Sequence, residues 1–287
     1  LESDDAINES MDADDGTSAP TNGSPNARRW GSIGKLLLAI DIGNTKIHIG
    51  LFDNRKLVSS FSLSSRRLLT SDEFSLMLES LLNRFGRNIQ SIEEVVAGSV
   101  VPSFNGIIRE AFALHRKKAY FMGEDFPAPI TILYKNPEEV GMDRLANAIA
   151  CRELYGCPAI IVDFGTAITF DVLSDKGEYL GGIIAPGVEI SLQGLFTATA
   201  RLPKVEIDVP KEVIGKSTKE AIRSGVVFGT VGLIEGLLER INEEIGEAII
   251  VLTGGMGEFF AQQVRFSCIV DKFLTLEGLR LAWEKSR

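Results

Sequence analysis

Histidine is nearly missing from this chain of 287 residues: His48 and His115 are the only two, which excludes an HExxH zinc site and leaves little room for a Ser-His-Asp triad. Cysteine is almost as scarce. Cys151, Cys157 and Cys268 make an odd set with no CxxC pair, so neither a disulfide framework nor a zinc cluster is supported, and a reducing compartment fits best. Positive charge is in deficit, with a net charge of −9, and a nucleic-acid groove or an anionic membrane surface would repel such a chain. No apolar run approaches the roughly 18 residues that cross a bilayer. The expectation is a soluble, cytoplasmic protein acting on a small molecule, with neither nucleic acid nor membrane as partner. A Walker phosphate loop is also lacking: IGKST at 214–218 contains Gly-Lys-Ser, but the pattern needs glycine at position 210, where Pro210 stands.

What is present changes character at residue 35. Residues 1–34 are rich in acids, Ser, Gly, Pro and Asn and have no apolar period, so a disordered acidic tail is expected there. The remainder is long enough for two full cores. The spacing of Phe74, Leu76, Met77, Leu78, Leu81, Leu82 and Phe85 predicts a helix over 71–85, capped by Ser71 and followed by Gly86. A strand in EEVVAGSVV, a helix over 105–116 and a strand around AYFM come next, an order that belongs to an α/β domain.

A repeat organises the chain. LLAIDIGNTKIHIGLFD and AIIVDFGTAITFDVLSD each run an apolar strand into Asp-x-Gly, then small polar residues, then a second strand. Their aspartates, Asp41 and Asp163, stand nearly half a chain apart. That offset implies two copies of one domain, with their turns facing a shared cleft; two unrelated hairpins are the plainer alternative. Gly43 and Gly165 let the backbone approach a ligand closely, and the polar residues beside them offer donors to phosphate oxygens. A carboxylate beside phosphate needs a cation between them, so Asp41 points to Mg²⁺, bound directly or through water.

Five segments in order, DIGNTK (41–46), YKNPEEVGMDRLANAIA (134–150), VDFGTAITFD (162–171), GGIIAPG (181–187) and TARLP (199–203), resemble the type III pantothenate kinases. That family lies in the acetate kinase/Hsc70/actin-like superfamily, and the likeness runs from Leu36 through LTLEGL at 274–279. It implies an α/β fold of two duplicated actin-like (ribonuclease H-like) domains, here 35–152 and 153–287, facing a central nucleotide cleft. It implies ATP-dependent phosphorylation of pantothenate to 4'-phosphopantothenate, the first step of coenzyme A biosynthesis. In that likeness Asp41, Ile42, Gly43, Asn44, Thr45, Lys46, Ile47 and His48, with Thr166 from the second copy, bind ATP. Tyr134, Gly141, Met142, Asp143, Arg144 and Thr199 bind pantothenate, Asp143 being the general base and Thr199 acting across a homodimer interface. Mg²⁺ accompanies ATP, and Asp163 holds a monovalent cation, K⁺ or NH₄⁺.

Each role has a blander counterpart in the residues themselves. Asp143 falls where a helix N-cap would, Tyr134 suits a strand end, His48 suits strand packing, and Asp163 is equally a second Mg²⁺ ligand or a turn residue. The planar fork of Arg144 matches a carboxylate or phosphate. Pro186 and Gly187 shape a bend, and the glycines after Thr253 either border an adenosine or form an unloaded turn. Met142 stands where the family often has a smaller residue. Two other functions are compatible with the fold: a non-catalytic regulatory relative, which the retained Asp41, Asp143, Arg144, Asp163 and Thr166 oppose, and a sugar kinase, whose cysteine-rich zinc motif is not found.

Overall fold

The computed structural model describes residues 35–67, 69–198, 203 and 205–287; the expectations for residues 1–34 and for Thr199 lie outside them. The first lobe contains β1 (Leu36–Ile42), β2 (Lys46–Asp53), β3 (Lys56–Ser64), α1 (Ser71–Arg84), β4 (Glu94–Ser99), α2 (Pro102–Ala113) and β5 (Ala119–Phe121). Helix α3 (Met142–Leu154) leads into β6 (Ala159–Phe164), β7 (Ala167–Leu173), β8 (Tyr179–Pro186), α4 (Val188–Ala198), α5 (Thr218–Ile245), β9 (Ile249–Gly254), α6 (Gly257–Ala261), β10 (Ile269–Val270) and α7 (Leu274–Lys285).

The two sheets have the same topology. One runs β3-β2-β1-β4-β5 and the other β8-β7-β6-β9-β10, each with an antiparallel hairpin meander on one side and two parallel strands on the other. Duplication is therefore a property of the fold as well as of the hairpin motif. The division expected between residues 152 and 153 falls inside α3, which runs on to Leu154.

Alternation along the strands explains what each face does. In β1, Leu36, Leu38, Ile40 and Ile42 pack outward with Phe74 and Leu78 of α1 and Phe104, Ile108 and Phe112 of α2, while Leu37 and Ala39 face inward. In β6, Ile160, Val162 and Phe164 take the outer core, and Ala159 and Ile161 the inner one. Both strands are buried on two faces, which is why they read as unbroken apolar runs. Asp41 and Asp163 continue the inward rows, so strand parity alone aims both carboxylates into the space between the lobes.

Helices α3 and α7 fill that inner space and pack on each other and on both sheets. Their contact depends on one glycine. A Cβ on Gly278 would stand 1.9 Å from the carbonyl oxygen of Ala146, so α7 reaches α3 only because Gly278 has no side chain.

Several boundaries differ from expectation. The cap of α1 is Thr70, one residue before Ser71; its hydroxyl accepts from Glu73 N and the Glu73 carboxylate accepts from Thr70 N, a capping box. Helix α2 starts at Pro102, whose missing N–H is tolerated only in a first turn, rather than at residue 105. Strand β3 was absent from the expected order because serines fill its half-exposed edge. Among the described residues α5 is long and apolar enough, by length and composition, to cross a membrane, although no unbroken apolar run of that length lies in it. Arg223 and Glu235 interrupt the run, and here its Val227, Ile234 and Leu238 are buried.

Candidate active site

Each lobe contributes one tight turn. In the β1–β2 turn the amide of Gly43 donates to Lys46 O at 3.0 Å. Ser65, just past β3, fastens it: its amide donates to Thr45 O at 3.1 Å and its hydroxyl to Gly43 O at 2.6 Å. In the β6–β7 turn Gly165 N donates to Ala167 O at 3.0 Å. Gly187 presses against this second turn so closely that a Cβ there would lie 2.1 Å from Thr166 O; the GGIIAPG segment thus supports the turn from below. The turns meet, with Thr45 Oγ1 and Thr166 Oγ1 2.5 Å apart.

Of the expected nucleotide residues, Asn44, Lys46, His48 and Thr166 are exposed, Gly43 and Thr45 partly so. Ile42 and Ile47 bury their side chains in the outer core, leaving only their backbone to face a ligand. His48 is paired in register with Asp41 and shares a hydrogen bond of 3.0 Å with Ser62 Oγ. Its imidazole is open to solvent yet crowded by the cleft, and desolvation, then Lys46 and Lys272, hold its pKa below 6.5.

Behind the turns lie three aspartates. Burial raises the Asp41 pKa well above 3.8, and the charges of Asp143 and Asp163 raise it further. Burial likewise pushes Asp163 up to about 6, against a hydrogen bond from Asn147 and with repulsion from Asp143. Asp143 is raised by burial and pulled back by Arg144. Mutual repulsion in a poorly hydrated space is an electrostatic demand for cations. Among the described residues no group of three His, Cys, Asp or Glu side chains is placed to hold a metal ion. Ions here would complete their shells with substrate oxygens and water, the usual habit of Mg²⁺ at phosphates.

Two side chains that sequence reasoning passed over orient Asp163. Asn147 Nδ2 donates to Asp163 Oδ2 at 3.0 Å, and Thr275 Oγ1 of α7 donates to Asn147 Oδ1 at 2.8 Å. Gly254, at φ +82°, makes room on the other side, since its Cβ would lie 2.4 Å from Asp163 Oδ1. The Thr253 turn therefore serves the carboxylate directly.

At the head of α3 the N-cap is Gly141 and Asp143 is already inside the first turn, so Asp143 does not occupy the N-cap position. Asp143 Oδ1 accepts from Arg144 N at 2.8 Å and folds over Gly141, where a Cβ would be 2.4 Å away. Met142 turns its side chain onto Gly123, which sits at φ +87°. Arg144 is buried, its Nε donating to Asp171 Oδ1 at 2.7 Å. Tyr179 OH donates to the same oxygen at 2.7 Å, and the Tyr134 ring lies 6.5 Å from that of Tyr179. Asp171 and Tyr179 were not singled out from the sequence; the only signal was a second acid at the end of VDFGTAITFD.

The sequence model of the type III pantothenate kinases matches residues 37–240. The type III pantothenate kinase of Moorella thermoacetica is 42% identical over 253 residues, 88% of this chain and 100% of that one. That of Persephonella marina is 44% identical over 246 residues, 85% of this chain and 96% of that one. Among solved structures, a Baf family transcriptional activator from Campylobacter jejuni aligns with a TM-score of 0.56 at 23% identity, covering 86% of this chain and 98% of that one. The activator of 2-hydroxyisocaproyl-CoA dehydratase from Clostridium difficile, with bound ADPNP, aligns with a TM-score of 0.53 at 15% identity, covering 88% and 95%. At such identities the two structures speak for the duplicated actin-like fold alone.

Proposed function

We propose, because this chain belongs to the type III pantothenate kinase family and phosphorylates pantothenate in coenzyme A biosynthesis, that its interlobe cleft performs the transfer with Asp143 as general base. One observation carries the reading: Thr45 and Thr166 bring the mirrored turns into contact in front of the helix that bears Asp143.

Phosphoryl transfer requires an in-line nucleophile, neutralised charge and little water. The turn from Asp41 to His48 and the opposing Thr166 grip the ATP phosphates through backbone amides, hydroxyls and the Lys46 ammonium. Asp143 takes the proton from the primary hydroxyl of pantothenate as that oxygen attacks the γ-phosphorus and ADP leaves. Arg144 meets the carboxylate end of the acceptor, with Tyr134, Gly141 and Met142 around it. Asp41 would hold Mg²⁺, which when bound spreads the phosphate charge, and Asp163 would hold K⁺ or NH₄⁺. The three raised carboxylates fit both assignments. The reading includes a cytoplasmic homodimer in which Thr199 reaches the acceptor across the interface.

A coupled assay of ATP consumption, run with pantothenate and with a panel of sugars, tests this. Turnover is expected with pantothenate only and should rise on adding potassium. Turnover with a sugar alone would overturn the acceptor, and indifference to potassium would remove the cation from Asp163. The acid limb of the profile gives a second check. The base must be ionised to act, and its pKa is held above 3.8, so kcat/KM for pantothenate should fall at a pH higher than a free aspartate would give. A midpoint at or below that of free aspartate would contradict the assignment.

A further inference from the structure

The Arg144–Asp171 pair is set deep in the protein. Asp171 has 0% of its surface exposed and Arg144 8%. By strand parity Asp171 lies on the inner face of β7, opposite Ile161, with Phe170 turned to the outer core. Three contacts lock the guanidinium: Nε donates to Asp171 Oδ1, Nη2 donates to Phe170 O at 3.2 Å, and its carbon lies 5.9 Å from the Tyr179 ring centroid. Gly182, paired in register with Asp171, leaves the space. A Cβ there would stand 2.6 Å from Arg144 Nη2 and 1.7 Å from Phe170 O.

A buried ion pair is a poor means of stabilising a core, because desolvating two charges costs about as much as their attraction returns. This one is also incompletely bonded: Asp171 Oδ2 is buried without a hydrogen-bond partner. An apolar pair would fill the volume at less cost. What the carboxylate adds is a fixed orientation for a guanidinium whose residue directly follows Asp143. One edge of the fork is committed to Asp171 and Phe170, so its remaining donors have one direction left.

We propose that Asp171 is a positioning residue for the acceptor: with Tyr179 and Gly182 it holds the Arg144 fork in the single orientation that receives the carboxylate end of pantothenate. The inference rests on the role of Arg144 proposed above. Asp171 does not touch substrate, so its removal acts through Arg144. Binding of the acceptor should suffer while binding of ATP, which depends on the two turns, is spared.

Steady-state kinetics with each substrate varied, together with thermal melts, on Asp171→Asn, Tyr179→Phe, Arg144→Ala and the Arg144→Ala/Asp171→Asn double variant would test this. Asp171→Asn should raise the KM for pantothenate roughly tenfold or more while the KM for ATP stays within about twofold. Tyr179→Phe should shift the same constant in the same direction by less, with its melting temperature kept. Placed on Arg144→Ala, Asp171→Asn should add nothing further, because a residue acting through another has no effect once that one is gone. Additive losses, equal rises in both KM values, or an unchanged pantothenate KM in a folded Asp171→Asn or Tyr179→Phe variant would overturn the proposal. Should Asp171→Asn fail to fold, Tyr179→Phe decides. An unchanged pantothenate KM in Arg144→Ala would instead refute the role of Arg144 itself, and the proposal with it.

Discussion

Asp143→Asn will abolish turnover while leaving ATP affinity nearly intact. The substitution keeps the size of the side chain and an oxygen that can accept from Arg144 N, so the head of α3 should keep its geometry. It removes the only function an amide cannot supply, that of taking a proton at neutral pH. Loss of a general base costs on the order of 10²–10⁴ in rate. Nucleotide binding has no reason to weaken, since the two turns are untouched. Asp143 repels both Asp41 and Asp163, and an uncharged side chain relieves that repulsion, so any change in Mg²⁺-ATP affinity should be a gain. Single-turnover rates beside titration with a non-hydrolysable ATP analogue separate the two effects. Near-normal turnover would take Asp143 out of its assigned role, and a large loss of nucleotide affinity would move it to the ATP site.

The second large effect concerns stability. Gly278→Ala places a methyl group where the Ala146 carbonyl oxygen already stands, 1.9 Å away, and neither backbone can yield without separating α3 from α7. Overpacking between two backbones costs about 3 kcal/mol. At roughly 2–4 °C per kcal/mol for a chain of this size, the melting temperature should fall by about 10 °C. Gly106→Ala is the control. It lies in α2 with no atom within 4 Å of the added methyl, and should raise stability by about 0.5–1 kcal/mol through helix propensity. Equal melting temperatures for the two variants would show that the interhelical contact is looser than described.

Much of this was legible in the sequence, for identifiable reasons. Hairpin duplication could be read because a doubly buried strand must be an unbroken apolar run, and because the turn after it leaves few choices of residue. The fold then followed from two copies of the pattern. The site was legible where chemistry is local, in the Asp-x-Gly turns and the Gly-x-Asp-Arg segment. It was illegible where partners are distant in the chain. Asn147 reads as one more polar residue in an alanine-rich helix, and nothing in the sequence joins it to Asp163 or Thr275. Ser65 is an ordinary serine until β3 returns it beneath the first turn, and Asp171 becomes special only once Arg144 reaches it. The N-cap position considered for Asp143 falls to Gly141 for a local reason: Gly141 already has the extended backbone that an N-cap needs.

Helix α3 carries the proposed proton acceptor at 143 and, four residues on, the amide that steers Asp163. Each residue advances a helix by about 100°, so adding or deleting one between these positions would swing Asn147 away by more than a quarter turn. The interval thus works as a fixed ruler: its length, and not only the identity of its end residues, sets the angle at which one helix serves both carboxylates.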